Sequence, residues 1–400
     1  MGLIRLTSGL PRDFWILLSS LFLINMFALG FSPFMAYFLR EIGASVSETA
    51  FVLALSRVGY GLLLLVGGVV GDFVGRRLPL IIGPIVIGFS FIALSGARTW
   101  SDAIIPLTFS MLPTAFTAPA VFAYISDIID EPRYGRAYGI YFAIMNLSAI
   151  LGYVIVGHII EIYGYVVSLE SVGAVSILTA LVRVWLREPR RSTTLPPLAR
   201  YLREAYGTLK DRLVSLLVLS HALYIGMATT MVSVIIPSWA RDIASMGEAQ
   251  LSIIFAIESA VYSVLSPIGG RLIESSVWWL RLSILELLIK IPALLLLTQT
   301  LTFFQLLLVM ILDSGLAIFV LPVLDSRLSA ALASIHRGAI WGLQQSITQA
   351  ATISLTLIGG YAWGALGPVN TVLAFLAYPV GMTLLILFLA RASRGSHFSG

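Results

Sequence analysis

Twelve apolar stretches, each about as long as a bilayer-crossing helix, follow one another along 400 residues and leave little chain for anything else. They lie near 14–39, 48–70, 78–97, 103–126, 137–159, 165–186, 213–238, 249–270, 279–298, 302–324, 338–360 and 368–390. About 20 residues cross the hydrocarbon core as a helix, whereas a barrel strand needs about 10. Helices also satisfy their own backbone in lipid. Composition agrees, with 58% hydrophobic and 11% charged residues against about 25% charged in a soluble domain. The fold class expected is all-α, with twelve transmembrane helices and the lipid bilayer as solvent. The run from Phe14 to Leu39 is longer than a signal-peptide core and has no small-residue cleavage site after it. It is expected to remain as the first span.

Basic residues set the orientation. With twelve spans, both termini and the even-numbered loops share one side. That side collects nineteen Lys and Arg, and the other holds three: Arg40, Arg98 and Arg241. Both termini are therefore expected in the cytoplasm and the protein in the plasma membrane. The formal charge of +5 is loop charge of this kind and does not call for nucleic acid. Arg57, Arg183 and Lys290 stay inside spans, with Arg183 near enough to the cytoplasmic end to snorkel.

Residues 187–212 are basic and carry Pro189, Pro196 and Pro197. They read as a cytoplasmic linker, with an amphipathic surface helix over about 198–210. This divides the chain into six spans over 1–186 and six over 213–400. The halves are related. Arg40-Glu41-Ile42 corresponds to Arg241-Asp242-Ile243, Gly68-x-x-x-Asp72 to Gly270-x-x-x-Glu274, and Gly135-x-x-x-Gly139 to Gly338-x-x-x-Gly342. Gly157 and Gly164 correspond to Gly360 and Gly367, and all these offsets fall between 201 and 203. An even number of spans per half makes this a parallel repeat about an axis along the membrane normal.

Between spans 2 and 3 runs Gly68-x-x-x-Asp72-x-x-Gly75-Arg76-Arg77. Gly68 allows close helix approach, and Gly75 allows a tight reversal. With the repeat, the basic central loop and Tyr134-Gly135-Arg136-Ala137-Tyr138-Gly139 before span 5, this turn resembles the signature of the major facilitator superfamily of secondary transporters. The resemblance covers nearly the whole chain and implies two six-helix bundles working by alternating access. It implies that Gly68, Asp72, Gly75, Arg76 and Arg77 form a cytoplasmic gate; the alternative is that the two arginines are positive-inside anchors. The second copy departs from the signature with Val277-Trp278-Trp279, so the gate is expected to be asymmetric. Span 5 reads Gly152-Tyr153 where many proton-driven exporters of the family carry Gly-Pro, and span 4 lacks the arginine that many of them have.

Charged groups in mid-membrane are costly, about 2.5–3.5 kcal/mol each on insertion scales, and so are functional candidates. By resemblance, spans 1, 4, 7 and 10 line a central cavity. That makes Asp313, near the middle of span 10, a candidate proton carrier facing water or substrate; a structural ion pair is the alternative. Glu258 is the second proton-coupling candidate. Arg57 and Glu258 sit eleven and twelve residues before Gly68 and Gly270. They could pair as a gate, Arg57 could hold an anionic substrate, or each could pair within its own half. Glu286 and Lys290, at i and i+4, can neutralise each other or couple to Glu258 or Asp313. Asn25, Asn146, His221, Tyr224, Gln345 and Gln349 are further cavity candidates, with Gln344 beside them. Pro106, Pro113 and Pro119 predict a kink or break in span 4.

There are no cysteines, so thiol chemistry is excluded. His158 and Glu161 lack a third ligand, so no metal is expected, and no Gly-x-x-x-x-Gly-Lys-Ser/Thr motif supplies an ATP site. No cofactor is expected, and no catalytic set appears. The expected function is secondary active transport of a small organic solute by a monomer, with proton-coupled efflux first and uptake of an anionic metabolite second. A non-transporting membrane receptor or scaffold on the same fold is the reading from another class.

Overall fold

The computed structural model describes residues 10–189, 206–273, 278–331 and 337–395, which form helices and turns with no strand among them. The first half comprises α1 (Arg12–Glu41), α2 (Val46–Val74), α3 (Arg77–Ser95) and α4 (Ile104–Ile128). A continuous path, Tyr134–Arg183, then bends at Gly164 into α5 (134–163) and α6 (165–183). The second half comprises α7 (Arg212–Asp242), α8 (Glu248–Ile273), α9 (Trp279–Leu297), α10 (Phe303–Ser329), α11 (Arg337–Leu366) and α12 (Pro368–Arg391). These helices fall where the twelve apolar runs lie. Nine stretches among the described residues are long and apolar enough to cross a membrane, the bent α5–α6 path being one of them. α9 falls outside that group because Arg281, Glu286 and Lys290 crowd its 19 residues. α11 falls outside it because it is rich in Gly, Ser, Thr and Gln.

Local chemistry sets the ends. Ser45 and Glu48 form a capping box at the start of α2, and Thr302 and Gln305 form one at α10. The Asp211 carboxylate accepts the Leu213 and Val214 N–H groups at α7. α4 is interrupted at Leu112 and Pro113, as its prolines predict. Gly164 and Gly367, matched in the sequence repeat, both take positive φ, 79° and 82°, at the α5–α6 and α11–α12 junctions.

Small residues set the closest crossings, because without a hydrophobic drive in lipid the helices rely on close packing. A Cβ on Gly152 of α5 would lie 2.2 Å from the Met26 carbonyl oxygen of α1. A Cβ on Gly88 would lie 2.8 Å from the Gly173 carbonyl oxygen, where α3 meets α6. Gly152→Ala should therefore push α1 from α5 and cost about 1–3 kcal/mol; a lowered thermal unfolding midpoint in detergent checks this.

Arg183 corrects an expectation. It does not snorkel but is buried, its Nε donating to Ser20 Oγ at 2.8 Å and its Nη1 to the Leu80 carbonyl at 3.0 Å. It ties α6 to α1 and α3. The expected surface helix over 198–210 lies mostly outside the described residues; 206–208 are helical.

Candidate functional site

α10 is two half-helices. The first ends in a π-helical turn, Ile311–Gly315, and regular helix resumes at Val320. A break in mid-membrane exposes carbonyls at one helix end and N–H groups at the other. α9 supplies a group for each. Glu286 Oε2 accepts from the Phe319 and Val320 N–H groups at 2.8 and 3.0 Å. Lys290 Nζ donates to the Asp313 carbonyl and lies 3.3 Å from Asp313 Oδ1. The anion sits at a helix N-terminus and the cation at a C-terminus, as the helix dipoles favour. Tyr224 of α7 donates to Glu286 Oε1, and Lys290 lies 5.6 Å over its ring. Tyr378 of α12 packs on Tyr224.

The i, i+4 pair of α9 is thus spent on α10 rather than on itself. Asp313 is buried and ion-paired within its own half, the alternative weighed for it, with Ser314 Oγ 3.3 Å from its other oxygen. Glu258 of α8 is half-buried, accepts from Ser259 at 3.1 Å, and lies within electrostatic reach of Asp313 and Lys290. Glu286→Ala should leave Tyr224 and two N–H groups without their acceptor. At about 1–3 kcal/mol per unsatisfied buried group, the folded fraction in detergent should fall sharply.

The other candidates scatter. His221 is buried, its Nε2 3.3 Å from Asp325 of α10 and its Nδ1 3.3 Å from Thr348 of α11. Asn25 donates to the Met145 sulfur at 3.0 Å, joining α1 to α5. Asn146 is exposed, Gln345 half-buried, and Gln349 buried against Gly61 with Oε1 unpaired. Gln344 is fully buried, with both amide atoms unpaired. Arg57 and Glu258 are not brought into an ion pair; among the described residues Arg57 has no ionic partner.

At the α2–α3 turn, Gly75 takes φ 93° and permits the expected reversal. Arg76 Nε lies 3.3 Å from Asp127 at the end of α4. The Glu188 carboxylate, just after α6, accepts the Arg76 and Arg77 N–H groups at 2.8 and 3.0 Å, and Arg77 also donates to the Val184 carbonyl. These contacts fasten the turn to its own half. Gly68 and Asp72 lie on a stretch of α2 whose side chains are outside the described residues.

The end opposite the chain termini holds a reciprocal pair of bridges between the halves. Arg40 Nη2 of α1 lies 3.0 Å from Asp242 of α7, and Arg241 Nη2 of α7 lies 3.0 Å from Glu41 of α1. Two-fold symmetry demands this reciprocity: if residue i meets j, its counterpart meets the counterpart of j. Arg241 also donates to the Tyr37 carbonyl at 2.8 Å, Tyr37 Oη to the Met246 carbonyl at 3.0 Å, and Tyr165 Oη to Glu248 at 2.6 Å.

The seam between α5 and α8 is tight at that end. A Cβ on Gly157 would lie 2.5 Å from Ser252 Cβ, and the Tyr153 and Phe255 rings are 5.7 Å apart. Positions 157, 153, 146 and 142 share one helix face. Towards the termini, Asn146 and Phe142 on that face are exposed, Phe142 by 54%. The seam therefore closes at one end and opens at the other. The seam between α2 and α11 is close over much of its length, from Ala50 against Gly360 to Leu64 against Gly342.

Sequence reasoning missed Asp127, Glu188 and Asp325. Asp325 stands one residue past the expected end of span 10, and α10 runs beyond it. The four bridging charges at 40–41 and 241–242 were visible as repeat markers and, for the two arginines, as loop charge.

The description Major Facilitator Superfamily matches residues 17–368. Two curated relatives are similar at low identity. An uncharacterized MFS-type transporter of Methanocaldococcus jannaschii is 25% identical over 159 residues, 40% of this chain and 41% of the relative. The quinolone resistance protein NorA of Staphylococcus aureus is 23% identical over 184 residues, 46% of this chain and 47% of NorA. The matches span less than half the length of these relatives. Among solved structures, the POT family transporter PepTSo aligns with TM-score 0.80 at 11% identity, covering 98% of this chain and 100% of that one. A bacterial homolog of the human lysosomal transporter Spinster, in an inward-facing and unoccupied conformation, aligns with TM-score 0.77 at 14% identity, covering 95% and 96%. At such identities the likeness is one of fold.

Proposed function

We propose a function from the premise that this chain belongs to the Major Facilitator Superfamily and is an integral membrane transporter, not an enzyme: it exports a small organic solute from the cytoplasm in exchange for protons. The observation that carries the reading is the α5–α8 seam, tight at the end where paired charges join α1 to α7 and open at the other. With both termini cytoplasmic, as the basic loops argue, the open end faces the cell interior and is ready to load cargo. Residues 1–186 and 213–400 act as two rocking units joined by the linker.

Asp313 is the proposed proton carrier, with Glu258 beside it. Protonation of Asp313 cancels its charge and breaks its ion pair with Lys290, leaving the carbonyl contact of Lys290 to hold the end of the first half-helix. The half-helices of α10 then lose part of their clasp on α9. One charge moved through 100 mV is worth about 2.3 kcal/mol, enough to bias such a cycle. The likeness to a quinolone resistance protein supports the outward direction. The uptake reading rests on Arg57, which has no ionic partner among the described residues and whose charge suits an anionic solute.

Reconstitution in liposomes tests the function. Solute flux that follows an imposed pH gradient, running toward the acidified side and so against the proton flow, is expected. Flux indifferent to the gradient would remove the proton, and no flux for any of a broad solute panel would favour a receptor.

A further inference from the structure

We infer that the ends of α7, α9, α10 and α12 on the side of the chain termini form a site for the phosphate headgroup of an anionic membrane lipid. The site stands apart from the cargo and direction of transport.

The two halves of the repeat answer their charges differently at this end. In the first half Arg76 meets Asp127, and Glu188 accepts the Arg76 and Arg77 N–H groups. The offsets of the repeat carry Arg76 and Arg77 onto Trp278 and Trp279, Asp127 onto Ser329 or Ala330, and Glu188 onto Arg391. Both carboxylates are gone from the second half, and a cation stands in place of one.

The arginines of the second half lie on rings instead. Arg327 of α10 sits 3.7 Å over the Trp279 ring, Arg281 of α9 sits 5.5 Å over Trp278, and Arg212 of α7 sits 4.8 Å over Phe388 of α12. Arg391 ends α12 three residues later. None of these arginines meets a carboxylate among the described residues. A ring face holds a guanidinium in place but leaves its charge uncancelled. Val214, Trp279, Leu328 and Ala390 belong to one packed cluster, which gathers the four helix ends and the arginines beside them.

The site faces lipid. On α9, Trp278, Arg281, Leu285, Leu288 and Leu295 form one exposed stripe at helical spacing. The leucines suit acyl chains, and Trp278 and Arg281 end the stripe at headgroup level, where tryptophan is favoured. A lipid phosphate there takes charge-assisted hydrogen bonds from the guanidinium forks while its chains follow the leucines. A soluble anion gains the first contact and not the second.

The test titrates the full chain in neutral detergent with phosphatidylglycerol or phosphatidylcholine carrying brominated acyl chains, and reads binding as quenching of tryptophan fluorescence. Phosphatidylglycerol should bind more tightly, and Trp278→Phe with Trp279→Phe should remove most of its excess quenching. Arg281→Gln and Arg327→Gln should each lower its preference over phosphatidylcholine about fivefold, the effect of one basic residue at a membrane surface. Arg391→Glu, which supplies the carboxylate that the first half has in Glu188, should lower it about 25-fold. Arg281→Lys keeps the charge, so it should keep most of the preference and control for misfolding. Arg133→Gln removes a surface arginine paired with Asp130 in the first half and should leave the preference unchanged. No preference for phosphatidylglycerol, or an equal loss in Arg133→Gln, would overturn the site in favour of general surface charge. Displacement of the lipid by glycerol phosphate at equal concentration would overturn it in favour of a soluble anion.

Discussion

Asp313→Asn should abolish solute accumulation driven by a pH gradient while leaving solute exchange at equal pH on both sides. The amide keeps the size of the carboxylate but carries no exchangeable charge, so the cycle loses its coupling step and keeps its conformational one. Gradient-driven accumulation is expected to fall about 40-fold for each 100 mV of proton driving force, since the variant forgoes an energy of about 2.3 kcal/mol per 100 mV and about 1.4 kcal/mol is a factor of ten. Accumulation at the parent rate would refute Asp313 as the carrier. Stability must be read beside flux. Removing one partner of a buried pair costs about 3–5 kcal/mol because it strands the other. Asp313→Asn with Lys290→Met strands neither, so it should be more stable than Asp313→Asn alone and equally uncoupled. If the double variant is the less stable, the carbonyl contact of Lys290 outweighs its ion pair.

Arg40→Asp should open the end opposite the termini, and adding Asp242→Arg should close it again. The single change sets an aspartate against Asp242, replacing one of two bridges with repulsion. The side chains are about a quarter to over a half exposed, so each bridge contributes only about 0.2–1 kcal/mol and less at high salt. A conformational equilibrium poised within a few kcal/mol still moves severalfold under such a change. The chain has no cysteines, so spin labels can be placed on cysteines introduced at Ser101 and Leu301 without interference. A longer distance in the single variant and recovery in the charge-exchanged one are expected. Identical distances in all three would mean the bridges are not a latch.

The layout of spans was legible because hydropathy and proline report directly on lipid exposure and helix continuity. The positions of α1–α12 and the interruption at Pro113 both follow from such local signals. The repeat was legible too, and Gly164 and Gly367 show why: their positive φ values restrict both positions to glycine. Partners were not legible. Spacing alone paired Glu286 with Lys290, because nothing in periodicity says that α10 breaks beside them. The triplet Asp313-Ser314-Gly315 is turn-like chemistry inside an apolar run, and it was the available hint. Arg183 lay close enough to a helix end to suggest snorkelling, but its depth depends on how α1, α3 and α6 cross. The reciprocal bridges at 40–41 and 241–242 follow from the repeat only once the halves are known to touch at that end.

The broken α10 and its clasp on α9 also bear on how the protein is made. As a lone helix entering the bilayer, α9 would carry Glu286 and Lys290 into hydrocarbon at about 2.5–3.5 kcal/mol each. α10, entering alone, would bring a gap of unpaired backbone. Each cures the defect of the other. The two should therefore leave the insertion machinery as one hairpin rather than in succession, with α9 waiting at the exit until α10 has been synthesised.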